Sequence, residues 1–295
     1  MDPLALVLVL VSAVLHATWN ILLKTAGDPL RVATAAMAVS AAVLVPAAAI
    51  AWLAQGQPVV APAAIGLGVL SGLVEVAYFV FLAAAYRRGD LSVVAPVARG
   101  TAPLILVVVG VVVLGERLAP GAALRVAILL AGLLTVQRPW RFQRGGTADR
   151  SAVSFALLTG VTIACYSSID RVGVQLAPPW LYGAILWIVA AAGLVVVGQA
   201  RSRVAGGRYA VTGPLDVPRS AASGLLTLVT YLLVLFALSR APVAVVGPLR
   251  ESAVLLTSVY GVFVLHEAVT QRETGLRLGG SVLVVLGAVV LAVTG

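Results

Sequence analysis

The chain has 295 residues, of which 61% are hydrophobic and only 11% charged, and its mean hydropathy is +1.08. A soluble domain carries about 25% charged residues, so this composition excludes a water-soluble globule and makes lipid the main solvent. The net charge of +9 would suggest nucleic acid as a partner in a soluble protein; in a membrane protein it anchors loops on the cytoplasmic face, and no nucleic-acid partner is expected.

Ten apolar runs follow one another at about 3–23, 31–54, 62–86, 91–113, 121–137, 151–170, 178–200, 217–238, 242–264 and 276–294. A hydrocarbon core of roughly 30 Å takes about 20 apolar residues in a helix, so ten crossings consume the chain and leave no soluble domain. The runs are continuous; a transmembrane β-barrel would alternate apolar and polar residues in segments of about 10. The first run follows Met1-Asp2-Pro3 without a basic stretch, so it is expected to be retained as a span. Breaks between runs carry Gly, Pro or charge, as in Gly27-Asp28-Pro29, Arg87-Arg88-Gly89-Asp90 and Pro178-Pro179. The only cysteine, Cys165, excludes an intrachain disulfide.

The most polar stretch in mid-chain runs from Arg138 to Arg150 around Gly145-Gly146. It divides the chain into residues 1–137, a basic linker at 138–150, and residues 151–295. Motifs recur in order across that division. Arg88 and Val93-Val94-Ala95-Pro96 reappear 152 positions later as Arg240 and Val245-Val246-Gly247-Pro248, and Ser71-Gly72 reappears as Ser223-Gly224. Arg99 and Glu116 reappear 151 positions later as Arg250 and Glu267, and Lys24 matches Arg171 at 147. Such a series predicts a duplication. Each half holds five spans, an odd number, so the second half enters the membrane inverted, the plan of many secondary transporters. The predicted fold is an all-α integral membrane protein of ten transmembrane helices in two inverted five-helix repeats.

Loop charges bear on orientation. Odd-numbered loops carry Lys24, Arg31, Arg87, Arg88, Arg138, Arg141, Arg144, Arg150, Arg201, Arg203, Arg208, Arg219, Arg272 and Arg277; even-numbered loops carry only Arg117, Arg125, Arg171 and Arg240. The positive-inside rule then places odd loops in the cytoplasm and both termini outside, in the cell (inner) membrane.

Two cations remain. Arg99 and Arg250 lie within spans 4 and 9 at matched positions. Ionisable residues inside a span are costly and are functional candidates; here the pair could face one central cavity and hold an anionic group through forked donors. The alternative is structural pairing, of Arg250 with Glu251 or Glu75, or of Arg99 with Glu75. Glu75 in span 3 is a candidate proton-coupling carboxylate, with Glu251 and Asp170 as further ion-coupling candidates. His16, Trp19 and Asn20 share one face of span 1 at i, i+3, i+4, and Tyr166, Ser167 and Asp170 form a similar face in span 6. Tyr78, Tyr231 and Trp187 are candidate cavity-lining aromatics, with ordinary packing as the alternative. No P-loop, zincin helix, nucleophile elbow or metal-ligand spacing occurs, so no catalytic residues, cofactor or metal are expected.

These residues resemble the drug/metabolite transporter superfamily, EamA type. The matches are His16-Ala17-Thr18-Trp19-Asn20 with Lys24; Ala85-Tyr86-Arg87-Arg88-Gly89-Asp90-Leu91-Ser92 leading to Pro96-Val97-Ala98-Arg99-Gly100; Gly115-Glu116-Arg117-Leu118; Tyr166-Ser167-Ser168-Ile169-Asp170 followed by Gly173; and Ala241-Pro242 leading to Arg250-Glu251, then His266-Glu267. The motifs are short, but their order covers essentially the whole chain. The resemblance implies a secondary transporter, often an exporter of amino acids or other metabolites, and not an enzyme. The histidine-containing pattern of span 1 is also similar to a branch associated with phosphonate-utilisation genes. Glu116 and Glu267 match the family's loop glutamates, read as helix-capping or gating groups. Many members are described with both termini cytoplasmic, opposite to the loop charges here.

The expected function is therefore secondary active transport of a small polar, anionic or zwitterionic metabolite by alternating access. Its substrate-binding residues are expected among Arg99, Arg250, His16, Trp19, Asn20, Tyr78, Tyr166 and Tyr231. The expected partners are the small-molecule substrate, the lipid bilayer and protons as a coupling ion, in a monomer or a homodimer. Two rival classes are a membrane enzyme or lipid-handling protein and a non-transporting sensor or assembly partner. The first lacks paired catalytic groups at an interface; the second lacks an extramembrane interaction domain.

Overall fold

The computed structural model describes residues 2–24, 29–88, 91–137, 150–204 and 217–251, together with positions 279, 282 and 286. Among these it contains nine α-helices and no strand. In chain order they are α1 (Pro3–Lys24), α2 (Pro29–Ala54), α3 (Pro62–Tyr86), α4 (Leu91–Val108), α5 (Pro120–Gln137), α6 (Arg150–Leu176), α7 (Pro179–Val204), α8 (Val217–Arg240) and α9 (Val243–Arg250). A π-helical turn at Val109–Val113 continues α4. Five segments are long and apolar enough to cross a membrane: Leu30–Ala54, Pro62–Tyr86, Arg150–Leu176, Pro179–Arg201 and Ser220–Arg240. Shorter apolar helical stretches occur at Pro3–His16, Val97–Val113 and Pro120–Thr135. The predicted run at 276–294 and most of the run at 242–264 lie outside the described residues.

Local chemistry sets the helix ends. Proline opens α1, α2, α3, α5 and α7, at the position where a missing N–H costs nothing. Asp2 caps α1 by accepting the Leu4 N–H at 2.9 Å. That amide, together with the Arg240 guanidinium, holds the Asp2 carboxyl below the usual carboxylate range. Helix α2 ends in a Schellman turn: Gln57 N–H reaches the Trp52 carbonyl at 2.9 Å and Gly56 N–H that of Leu53 at 3.1 Å. Gly56 takes φ +76° there, the left-handed region that glycine enters at least cost. Helix α6 runs six residues past its expected end at 170, because Arg171 and Gln175 are held by groups from other helices (below).

Packing follows the duplication seen in the sequence. Helix α3 packs on α6, and its counterpart α8 packs on α1. Helix α2 lies against α8, and its counterpart α7 lies against α3; α2 also meets α7, and α4 meets α9. The repeated glycines show the same exchange at atomic detail. A Cβ on Gly72 would lie 2.8 Å from the Leu186 carbonyl oxygen and from Val189 Cβ on α7; a Cβ on Gly224 would lie 2.8 Å from the Ala36 carbonyl oxygen and from Val39 Cβ on α2. Helices in lipid gain little from apolar burial between them, so small residues that admit close van der Waals contact decide where they meet. Buried hydroxyls add cross-links: Ser40 Oγ donates to the Gly224 carbonyl at 2.8 Å, and Ser12 Oγ to that of Thr230 at 3.0 Å. Large apolar side chains such as Val7, Ile50, Leu73, Val112 and Val196 are exposed, as expected of a surface that faces acyl chains.

Candidate functional site

At the centre of the bundle lies a cavity of about 40 Å³, lined by His16, Met37, Glu75, Tyr78, Phe79, Tyr166, Trp187, Thr227, Thr230, Tyr231 and Arg250. The lining comes from α1, α2, α3, α6, α7, α8 and α9, and therefore from both halves. A water needs roughly 10–15 Å³ by this kind of measure, whereas ligand pockets span about 300–1,000 Å³. In this conformation the cavity admits a few waters and no metabolite, so loading requires the helices to part.

Arg250 enters the cavity from the last turn of α9 and is 9% exposed. Its Nη2 donates to Tyr166 Oη at 3.3 Å, and its guanidinium lies 5.4 Å from the Tyr231 ring centroid and 5.9 Å from that of Tyr166. Its buried Nε has no hydrogen-bond partner among the described residues. The pairings of Arg250 with Glu251 or Glu75 that the sequence allows are not formed as ion pairs.

Arg99 is placed differently. It does not line the cavity. Its Nη1 meets Glu251 Oε2 at 3.5 Å, joining the first half to the second, and its Nη2 lies 3.1 Å from His16 Nε2. The alternative pairing with Glu75 is replaced by this one. Glu251 thus holds the cation of the other repeat and not its own neighbour. His16 bridges the two regions, touching Arg99 and lining the cavity.

Glu75 is 5% exposed on the cavity wall, with Asp170, Arg250 and Tyr231 as its electrostatic neighbours. Asp170 is fully buried in a cage of hydroxyls. Its Oδ1 accepts from Ser71 Oγ at 2.5 Å and Tyr182 Oη at 2.8 Å, and its Oδ2 accepts from Tyr231 Oη. Those donors sit on α3, α7 and α8, so the carboxylate ties three helices to α6. Gly173, one turn along α6, makes room for this arrangement: a Cβ there would fall 2.1 Å from Tyr182 Cε2.

The aromatics form a continuous wall. Tyr78 meets Tyr166 at 5.9 Å between centroids, Tyr166 meets Tyr231 at 6.0 Å, and Tyr231 meets Trp187 at 5.2 Å. The side chains of Trp19 and Asn20 lie outside the described residues. Met37, Phe79, Thr227 and Thr230 line the cavity and are not singled out by the sequence; each is an ordinary helix residue with no distinguishing neighbour pattern. Among the described residues, no three His, Cys, Asp or Glu side chains group as metal ligands.

The sequence matches the EamA-like transporter family twice, over residues 3–137 and 150–293. The chain belongs to the EamA-like transporter family. As an EamA protein it is a multi-pass membrane transporter with a duplicated domain, and it takes a small-molecule substrate; it is not an enzyme. The fold is similar to that of a protein of solved crystal structure at a TM-score of 0.72, with 19% identity over 99% of both chains. At that identity the likeness shows the fold alone. No curated protein matches the sequence.

Proposed function

We propose that this EamA protein is a secondary active transporter of a small anionic or zwitterionic metabolite, and that the metabolite's anionic group is taken by Arg250. The observation that carries the reading is the buried Arg250 Nε, which has no partner among the described residues, beside a polar, aromatic cavity lined from both halves. A buried charged donor without an acceptor is costly, and an anion entering the cavity would satisfy it through the guanidinium fork. Tyr166, Tyr231 and Tyr78 would surround the bound group, with His16, Trp19 and Asn20 contributed by α1. Arg99, engaged by Glu251, would position that carboxylate and help hold the two halves together. Glu75 is the coupling carboxylate in this scheme, because it shares the cavity with Arg250; Asp170, enclosed by three hydroxyls, serves the scaffold.

Residues 1–137 and 151–295 would be five-helix repeats of opposite orientation joined by the basic linker 138–150, ten spans in all. The exchange of α3–α6 with α8–α1 contacts supports that division, and one repeat rocking against the other would open the cavity to each side. The loop charges favour both termini outside the cytoplasmic membrane.

Proteoliposomes test the reading, presented in turn with amino acids, carboxylates, and phosphorylated and phosphonate compounds under substrate and proton gradients. Carriage of at least one anionic or zwitterionic compound is expected. Carriage of cations alone, or of nothing across all gradients, would overturn it.

A further inference from the structure

Away from the cavity, a second cluster of charge joins the two repeats, at the end of the bundle where α1 begins and α6 and α8 finish. Glu116 follows the π-helical turn, in a bend where Gly115 takes φ +65°. Its Oε1 accepts the Val243 N–H at 2.8 Å and Arg171 Nε at 3.3 Å; its Oε2 accepts the Ala244 N–H at 3.0 Å. A carboxylate of the first repeat therefore caps the first turn of α9 in the second, where the free amides and the helix dipole favour negative charge. The fit is close: a Cβ on Gly110 would fall 2.5 Å from Glu116 Oε2 and 3.0 Å from Ala244 Cβ.

The strand of chain between α8 and α9 is gripped from its other side too. Arg171 Nη1 donates to the Leu238 carbonyl at 2.5 Å, and Gln175 Nε2 to that of Ser239 at 3.0 Å. Glu116 thus holds the entry of α9 while α6 holds the exit of α8. Val243 and Arg250 are seven positions apart on α9, about two helical turns or roughly 10 Å. Between them lies a second small cavity, of about 10 Å³, bounded by Leu238 and Val243 at the Glu116 end and by Arg250 and Glu251 at the central end. Arg250 borders both cavities, so a path from Val243 to the central cavity would pass through the second one.

We infer that Glu116 is the latch of a gate: its release of the α9 amides and Arg171 opens this path, and α9 carries the movement to Arg250. The inference rests on the alternating-access reading, but its test needs no substrate. Cys165 is replaced by serine, and Ser167→Cys, whose side chain lines the second cavity, becomes the reporter. In lipid nanodiscs its rate of modification by a water-soluble maleimide is compared with and without Glu116→Gln, Glu116→Ala or Arg171→Ala. Ala190→Cys, fully buried on α7, reports general loosening.

Labelling at 167 is expected to rise on the order of tenfold in each latch variant, with 190 protected throughout. A tenfold change corresponds to about 1.4 kcal/mol in the closed–open balance, within the reach of losing one or two charge-assisted hydrogen bonds. Equal rates at 167 with and without the latch, or labelling that rises at 190 in parallel, would overturn the gate. A latch that opens as expected in a protein carrying no anion would refute the substrate reading alone.

Discussion

Replacing Asp170 with alanine removes one acceptor group from three buried hydroxyls at once. Ser71, Tyr182 and Tyr231 all donate to it, and the side chain is fully buried. Hydrogen bonds between helices in membrane proteins average about 0.6 kcal/mol, with a maximum near 1.7. Three lost together therefore amount to about 2–5 kcal/mol. Asp170→Asn retains one acceptor oxygen and points an amide donor at a hydroxyl, so its cost falls between wild type and alanine. Ser71→Ala, Tyr182→Phe and Tyr231→Phe each delete one donor and should each cost about 0.6–1.7 kcal/mol. Equilibrium unfolding by steric trapping in bicelles reads these differences. An Asp170→Ala variant within about 0.5 kcal/mol of wild type, below the average for even one such bond, would show that the cage does not tie α3, α7 and α8 to α6.

Further expectations concern packing, pairing and coupling. Gly72→Ala and Gly224→Ala each press a Cβ against a carbonyl oxygen across a helix contact; both should lose about 1–3 kcal/mol in the same unfolding assay, whereas Gly66→Ala, facing open space, should lose none. Arg99→Ala leaves Glu251 buried without its cation, a change worth about 3–5 kcal/mol when a buried pair is broken. The Arg99→Ala/Glu251→Ala double variant should be the more stable of the two, and a double-mutant cycle measures the difference. Glu75→Gln should uncouple transport from an imposed pH gradient while counterflow of the same compound persists; proteoliposome flux with and without the gradient distinguishes these.

The helices were legible because their apolar runs are long and bounded by Gly, Pro and charge. The run at 62–86 coincides with α3, and 91–113 spans α4 with its π-helical turn. Tertiary contacts set what the local sequence does not. Arg171 and Gln175 look like loop residues, yet they extend α6 because the carbonyls ending α8 accept from them. Of the candidate site the sequence offers residue types: intramembrane charge singles out Arg99, Arg250, Glu75, Glu251 and Asp170, of which Glu75 and Arg250 line the cavity. Their pairing is not legible there, because it depends on which helices meet. Glu251 adjoins Arg250 in sequence but binds Arg99, 152 residues away. The equivalence of Arg99 and Arg250, plain in the repeat, is broken in three dimensions, where one is engaged by a carboxylate and the other, at the cavity, keeps a nitrogen with no partner among the described residues. Tyr182 left no sequence signal for its bond to Asp170, since a tyrosine near a helix start in a membrane protein is ordinarily an interfacial anchor.

In the proposed scheme Arg250 receives the anionic group of the cargo. The most direct measurement is proteoliposome flux of a carried compound by wild type, Arg250→Lys and Arg250→Ala, at equal amounts of monodisperse, inserted protein. Lysine keeps the charge but loses the planar fork. Flux is expected to fall on the order of tenfold or more with lysine and to be lost with alanine. Wild-type flux in Arg250→Ala would contradict that scheme.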